Sequence, residues 1–234
     1  MRRLRFNLRT LGVVVAATAL FLGYWNHKAT QRRMLADSLR KKGGSVYWAE
    51  PSGSFLLQRI SKSLPKEFCC VPVSVETVGI TDAELTSIVR WFPRLQAISF
   101  DQPALENEGF DALAGLKSLT QVCVYGDGLP ELSGLALCPQ LVKLDIDSTD
   151  FEDQHLARLS EIPALQMLML FQTPVTIEGL TTIKSRMPSC EIVVFPNHHT
   201  DSSQFASLQY DPIQDRFVKI DGTTGGPVLD FSPP

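Results

Sequence analysis

Leu141-Val142-Lys143-Leu144-Asp145-Ile146 carries its apolar residues in the spacing L-x-x-L-x-L, and that spacing returns throughout the middle of the chain. The copies are Cys70/Val73/Val75, Leu95/Ile98/Phe100, Leu119/Val122/Val124, Leu141/Leu144/Ile146 and Leu165/Leu168/Leu170, closed by Cys190/Val193/Phe195. Successive first members lie 22 to 25 residues apart. A fixed period of that length marks a stacked array in which each unit touches only its neighbours. After each triplet comes one further apolar residue (Ile80, Leu105, Leu129, Phe151, Val175). A pair at helical spacing follows: Leu85/Ile88, Phe110/Leu113, Leu132/Leu135, Leu156/Leu159, Leu180/Ile183. Pro93, Pro139, Pro163 and Pro188 precede the next triplet, with Lys117 in the remaining unit. The switch from period 2 to period 3.6 within each unit predicts strand, turn, helix. The fold class is therefore α/β, a short solenoid with a parallel sheet on the concave side and helices on the convex side.

Composition narrows the function. Hydrophobic residues make up 44% of the 234-residue chain and charged residues 20%, which fits a globular protein. The net charge of -3 hides a segregation. Residues 1–44 hold ten Lys/Arg and one acid, Asp37, whereas the remaining 190 hold twelve basic and 24 acidic residues. An acidic body argues against nucleic acid as a partner, and the basic head suits an anionic membrane surface. The five cysteines do not read as a disulfide framework, because their number is odd and Cys70, Cys138 and Cys190 fall at or near core positions.

Arg2, Arg3, Arg5 and Arg9 precede an uncharged run from Leu11 to Trp25. Fifteen helical residues span ~22 Å, short of the ~30 Å hydrocarbon core, and the run is extended by Thr10, by a snorkelling Arg9 and by the Tyr24-Trp25 belt. No small-residue cleavage site follows it, since Asn26-His27-Lys28 comes next. The reading is an uncleaved transmembrane anchor over 10–26 behind a basic N-terminus 1–9. A cleaved signal peptide is the first alternative and an Arg-rich organellar presequence the second. Short anchors of this type commonly keep the N-terminus inside, so the body of a single-pass membrane protein is placed on the non-cytoplasmic side, although the flanking charges are nearly balanced. Residues 27–44 read as a basic juxtamembrane helix. Met34, Leu35 and Leu39 mark one face of its 29–42 segment, which suits lipid headgroups or a solvated stalk alike, and Gly43-Gly44 stop it.

Residues 45–69 read as an N-terminal cap, residues 70–196 as the repeats and residues 197–234 as a largely disordered tail, interrupted by Phe217-Val218-Ile220 and Val228-Leu229-Phe231. The third unit drops two residues at Gly126-Asp127-Gly128-Leu129-Pro130, so its helix is expected to be a single turn.

Over residues 70–196 the chain resembles the leucine-rich repeat family. Ile80-Thr81-Asp82-Ala83-Glu84-Leu85 is similar to that family's I-T-D-x-x-L turn, and Leu137-Cys138-Pro139-Gln140-Leu141 to its C-P-x-L repeat end. Arg5-Phe6-Asn7-Leu8-Arg9-Thr10-Leu11 and Gly43-Gly44-Ser45-Val46-Tyr47 resemble segments of bacterial membrane-anchored leucine-rich repeat proteins of undefined activity. The resemblance implies a location and a fold but no chemistry.

Side chains alternate along a strand, so the neighbours of the triplet residues should line the concave face. Pro72, Ser74 and Glu76 would open it, and Ile192, Val194 and Pro196 would close it. The candidate partner-binding residues are Glu76, Asp101, Tyr125, Asp145 and Asp147 in the early and middle units, then the apolar Met167, Met169, Phe171, Ile192 and Val194. An apolar patch beside carboxylates suits a protein or peptide with an apolar segment flanked by basic residues. The alternative cover is the chain's own tail. Asp145-x-Asp147-x-x-Asp150 lacks the closing Glu and fixed Gly of a calcium loop and reads as a solvated acidic strand end. His198-His199 with Asp201 has zinc-type side chains but no fixed fourth ligand. No catalytic motif occurs, and Asp145 and Asp147, about 7 Å apart, are expected to be open to water. The sequence therefore predicts no enzyme, no cofactor and no metal. It predicts a membrane-tethered module that binds a protein or peptide through its concave face and the bilayer through 10–26. The alternative is an assembly subunit of a larger membrane complex.

Overall fold

The computed structural model describes residues 8–50, 65–106, 109–129, 132–195, 206–211 and 216–221. Its first element is a continuous 34-residue helix, α1 (Leu8–Lys41). The strands follow in chain order: β1 (Ser45–Ala49), β2 (Val71–Val78), β3 (Ala97–Asp101), β4 (Gln121–Tyr125), β5 (Lys143–Asp147), β6 (Met167–Phe171), β7 (Glu191–Phe195), β8 (Ala206–Asp211) and β9 (Arg216–Asp221). They form one sheet in sequence order. From β2 to β7 every neighbour pairs in parallel, while β1, β8 and β9 pair antiparallel at the two ends. Helices Asp82–Trp91, Asp153–Leu159 and Ile177–Arg186 and the 3-10 segments Gly109–Gly115 and Leu132–Leu137 make the return passes. Strands repeat at ~4.8 Å and packed helices need ~8–10 Å, so the sheet takes the inside of the curve.

One core runs through all the coils. Ile98, Val122, Leu144 and Leu168 form one row across the sheet and Phe100, Val124, Ile146 and Leu170 the next, all fully buried. The helical pairs anticipated from the spacing are buried too, from Leu85/Ile88 to Leu180/Ile183. Each return pass ends on a buried residue before the turn (Phe92, Leu116, Cys138, Ile162, Met187). In four of the five, at Phe92, Leu116, Cys138 and Met187, the N–H three positions on donates back to that residue's carbonyl, as Leu95 does to Phe92. Cys138 and Cys190 behave as small apolar side chains, and burial pushes both thiols up to about 11. Units two and three return by 3-10 segments. Unit three has the shortest connection between strands, which favours the tighter helix, whereas unit two is as long as unit four and its length does not account for the difference.

The two end coils depart from the spacing. Val75 pairs with Ile98 and Thr77 with Phe100, so the first copy is Pro72/Val75/Thr77, not Cys70/Val73/Val75. Pro72, expected on the concave face, is buried, and Thr77 is buried with its hydroxyl donating to the Ser99 carbonyl at 2.9 Å. At the far end Leu168 pairs with Ile192 and Leu170 with Val194. Cys190 still fills the first apolar position, but one residue fewer separates it from the strand, and this shift reverses which side chains face inward. Pro196 lies outside the described residues.

The turns after β2, β3, β4 and β6 adopt a left-handed backbone at Gly79, Gln102, Gly126 and Gln172. Their N–H groups reach across to the next strand's end, as Gly126 does to the Asp147 carbonyl at 2.8 Å. Glutamine tolerates the φ of 47° and 54° found at Gln102 and Gln172, but Gly126 sits at 100°, where only glycine is comfortable. A Cβ there would also lie 3.2 Å from the Gln102 Cα. Gly126→Ala is expected to lower stability by about 1–2 kcal/mol in a thermal melt. A loss below ~0.5 kcal/mol would mean that this turn is not under the constraint described.

Carboxylates tie successive coils together beneath these turns. Asp127 accepts from the Thr149 N–H and hydroxyl at 3.0 and 2.7 Å, and these donors hold its carboxyl below the usual range. Asp150 accepts from Gly128 at 2.7 Å, and Asp153 from the N–H and hydroxyl of Thr176 at 2.8 and 2.6 Å. The acidic stretch around 145–153 is thus cross-coil bracing and not a loose solvated strand end.

Both edges are capped. β1 covers the first strand, and α1 packs beside it. Ala29, Ala36 and Leu39 are buried along one stripe of α1, whereas Met34 is exposed. The segment read as a juxtamembrane helix is therefore docked on the first repeat. Arg32 Nε donates to the Trp91 carbonyl at 3.2 Å, and Lys42 Nζ pairs with Glu84 at 2.7 Å. The helix stops in a Schellman turn: Gly44 N–H donates to Leu39 and Gly43 N–H to Arg40, with Gly43 at φ 93°. A Cβ at Gly44 would strike the Glu76 carbonyl oxygen. The upstream run, including Leu11, Val13, Leu20 and Phe21, is exposed. Among the described residues no helix is long and apolar enough to cross a membrane; the apolar run within the expected 10–26 anchor, from Leu11 to Trp25, is fifteen residues long, and α1 continues into Asn26-His27-Lys28.

In the tail, expected to be largely disordered, residues 206–211 and 216–221 form a hairpin that extends the sheet from β7. Phe217 and Val218 thus belong to an in-sheet strand two places beyond β7 and do not fold back over the concave patch. The Val228-Leu229-Phe231 patch and the Phe55-Leu56-Leu57 part of the cap lie outside the described residues.

Candidate functional site

The strand register lays out the helix-free face as three rows across six strands. Ser74, Ala97, Gln121, Lys143, Met167 and Glu191 form the first row. Glu76, Ser99, Cys123, Asp145, Met169 and Val193 form the second. Val78, Asp101, Tyr125, Asp147, Phe171 and Phe195 form the third. Eight of the ten anticipated residues lie here: Glu76, Asp101, Tyr125, Asp145, Asp147, Met167, Met169 and Phe171. Ile192 and Val194 do not, because the shortened last coil turns them into the core, and Val193 and Phe195 take their places. The apolar patch survives that exchange. Met167, Met169, Phe171, Val193 and Phe195 are all half-buried, and the rings of Phe171 and Phe195 stack with centroids 4.5 Å apart and planes 3° from parallel. Offset stacking of that kind is a favoured arrangement for two aromatic rings on neighbouring strands.

At the other end the face is acidic and wet. Glu76 and Asp101 are exposed, and Tyr47 on β1 donates its hydroxyl to Glu76 at 3.1 Å. That bond, with the Glu76 charge, raises the Tyr47 phenol above its ordinary range.

Between the two ends lies a feature that the sequence did not suggest. Asp145, expected to be open to water, is only 6% exposed. Lys143 Nζ sits 3.2 Å from its Oδ2, and the Cys123 thiol donates to the same oxygen at 3.4 Å. Gln121 Nε2 in turn donates to the Cys123 sulfur at 3.4 Å. Burial, followed by the Asp145 charge, pushes the Cys123 thiol up to about 11, so it is protonated and poorly nucleophilic at neutral pH. Tyr125 is also raised, first by burial and then by Cys123. Asp145 Oδ1 is buried without a hydrogen-bond partner. The centre of the face is thus a closed polar knot. Its sequence signal was present in the L-x-x-L-x-L unit 141–146 itself, where Lys143 and Asp145 occupy successive concave positions of one strand.

His155 has a structural role at the edge of this region. Its Nδ1 accepts from the Glu152 N–H at 2.9 Å, and its ring stacks on Phe151 with centroids 5.5 Å apart, closing the N-terminus of helix Asp153–Leu159. Among the described residues no three His, Cys, Asp or Glu side chains are grouped to hold a metal ion, and His198, His199 and Asp201 lie outside them.

Parallel strands, cross-coil turns and convex return helices together define a solenoid of the leucine-rich-repeat type. No protein-family model matches the sequence, and a search of curated proteins finds no match. Solved structures similar to it are leucine-rich repeat proteins. One, from Leptospira interrogans, is 18% identical over 46% of this chain with a TM-score of 0.34, and the match spans 27% of its own length. Internalin C2 from Listeria monocytogenes is 14% identical over 62% of this chain and 84% of its own, with a TM-score of 0.27.

Proposed function

We propose that this chain is a bilayer-tethered repeat module that holds a protein or peptide partner on its concave face. The observation that carries the reading is the half-exposed patch Met167, Met169, Phe171, Val193 and Phe195, bordered by Asp147 and, further along, by Asp101 and Glu76. Adaptable Met side chains beside a stacked aromatic pair favour a segment with apolar anchors, and the acidic border favours Lys or Arg flanking them. The tether is α1. Its residues from Leu11 to Trp25 are exposed on every side, and a helix that is apolar all round calls for lipid or another apolar cover. The body is placed on the non-cytoplasmic side as part of the same reading.

Proximity labelling from the full-length protein, compared with its Phe171→Asp variant, tests both halves. Phe171 is half-exposed, so the variant is expected to fold while losing the labelled neighbours that contact the patch. An unchanged set of neighbours would remove the concave face from the reading, and a purely cytoplasmic set would reverse the orientation.

A further inference from the structure

Where α1 meets the first repeat, three cations converge from two elements. Lys28 and Arg32 lie one turn apart on α1, and Arg94 comes from the turn after helix Asp82–Trp91. Arg32 is held there by its bond to the Trp91 carbonyl, and Trp91 is itself flanked by His27, with ring centroids 6.0 Å apart, and by the Arg90 guanidinium at 5.2 Å. Among the described residues the acids nearby are already committed: Asp37 pairs with Arg33 and Arg40, and Glu84 with Lys42. Among the described residues no carboxylate forms an ion pair with Lys28, Arg32 or Arg94. Burial, then Arg32 and Arg94, lowers the Lys28 ammonium below its usual range, while burial and then Arg94 lower Arg32. The three cations repel one another, and an anion between them would reverse the sign of that interaction.

The position along α1 identifies the anion. Lys28 and Arg32 follow Trp25 by roughly 4.5 and 10 Å of helix. A headgroup layer is about 5–8 Å deep, and long basic side chains lean back toward it. We propose that Lys28, Arg32 and Arg94 together seat the phosphate of an anionic lipid headgroup, locking the first repeat against the bilayer surface. This rests on the reading of α1 as the bilayer tether. Arg94, 62 positions beyond Arg32, reaches the site only through the docking of α1 on the repeats.

The test is co-sedimentation of the full-length protein with vesicles of pure phosphatidylcholine and vesicles containing phosphatidylglycerol, at fixed salt. The expected result is binding to both, stronger to phosphatidylglycerol. Arg94→Glu should lower binding to the anionic vesicles about tenfold, and Arg94→Lys should restore most of it. Arg94 is exposed, and a carboxylate there would meet Lys28 and Arg32, so the thermal midpoint of Arg94→Glu should not fall. Equal binding of wild type and Arg94→Glu to both vesicle types would overturn the headgroup seat and leave the tether standing. Binding to neither vesicle would overturn both. Saturation by millimolar inorganic phosphate with no lipid preference would give the cluster to a soluble anion and also overturn the proposal.

Discussion

Leu144→Ala is expected to lower the unfolding free energy by about 2–5 kcal/mol, read from urea denaturation of the full-length protein by far-ultraviolet circular dichroism. Leu144 is fully buried and sits in register between Val122 and Leu168, in the strand at the middle of the parallel run. Coils on both sides hold its neighbours in place, so a cavity there has little freedom to collapse. The spread of the estimate reflects that freedom, since the transfer loss is nearly constant and the cavity contribution is not. Because each coil stabilises only its neighbours, the variant should also broaden the transition as the two halves begin to unfold separately. A loss below ~1 kcal/mol would mean that Leu144 is not where the strand register puts it.

Lys143→Met should cost about 2–3 kcal/mol, and adding Asp145→Asn should recover most of that loss. Read from the sequence alone, Lys143 is a concave surface residue whose removal would matter little. In the folded chain its ammonium is the counter-charge of a carboxylate 6% exposed, and its own side chain is only 17% exposed. Removing one member of a buried pair leaves the other charged and desolvated, which costs more than the pair contributes. Asparagine at 145 eliminates the stranded charge while keeping an oxygen for the Cys123 thiol. The decisive measurement is the double variant. If Lys143→Met and Lys143→Met/Asp145→Asn are equally destabilised, the loss comes from the lysine's packing, and the charge argument is wrong.

These two neighbours show how legible the chain was. The positions of Leu144, Ile146 and their counterparts in the other central coils followed from spacing alone, because an apolar residue every second position has one way to face a core. So did the existence and order of the return passes. The state of Asp145 did not follow, although its position on the concave face did. Whether a carboxylate on an open sheet meets water depends on the residues level with it on adjacent strands, here Cys123 and Met169, which are 22 and 24 positions away. Ile192 and Val194 were assigned to the wrong face for a different reason. Cys190 marks the expected apolar position, yet one residue is missing before the strand, and the hydrogen-bond register with β6 sets the inward face.

What the sequence by itself determined is the repeating coil: its period, its strand-turn-helix order, its central core and the acidic-to-apolar gradient of the surface opposite. All of these are local alternations, repeated often enough to admit one packing. The tertiary structure alone decided the inward residues of the first and last coils, the docking of α1 and the burial of Asp145. It also brought Arg94 beside Lys28 and Arg32. Each of those depends on which backbone lies alongside which, a relation between residues remote in the chain, and periodicity within a coil carries no trace of it.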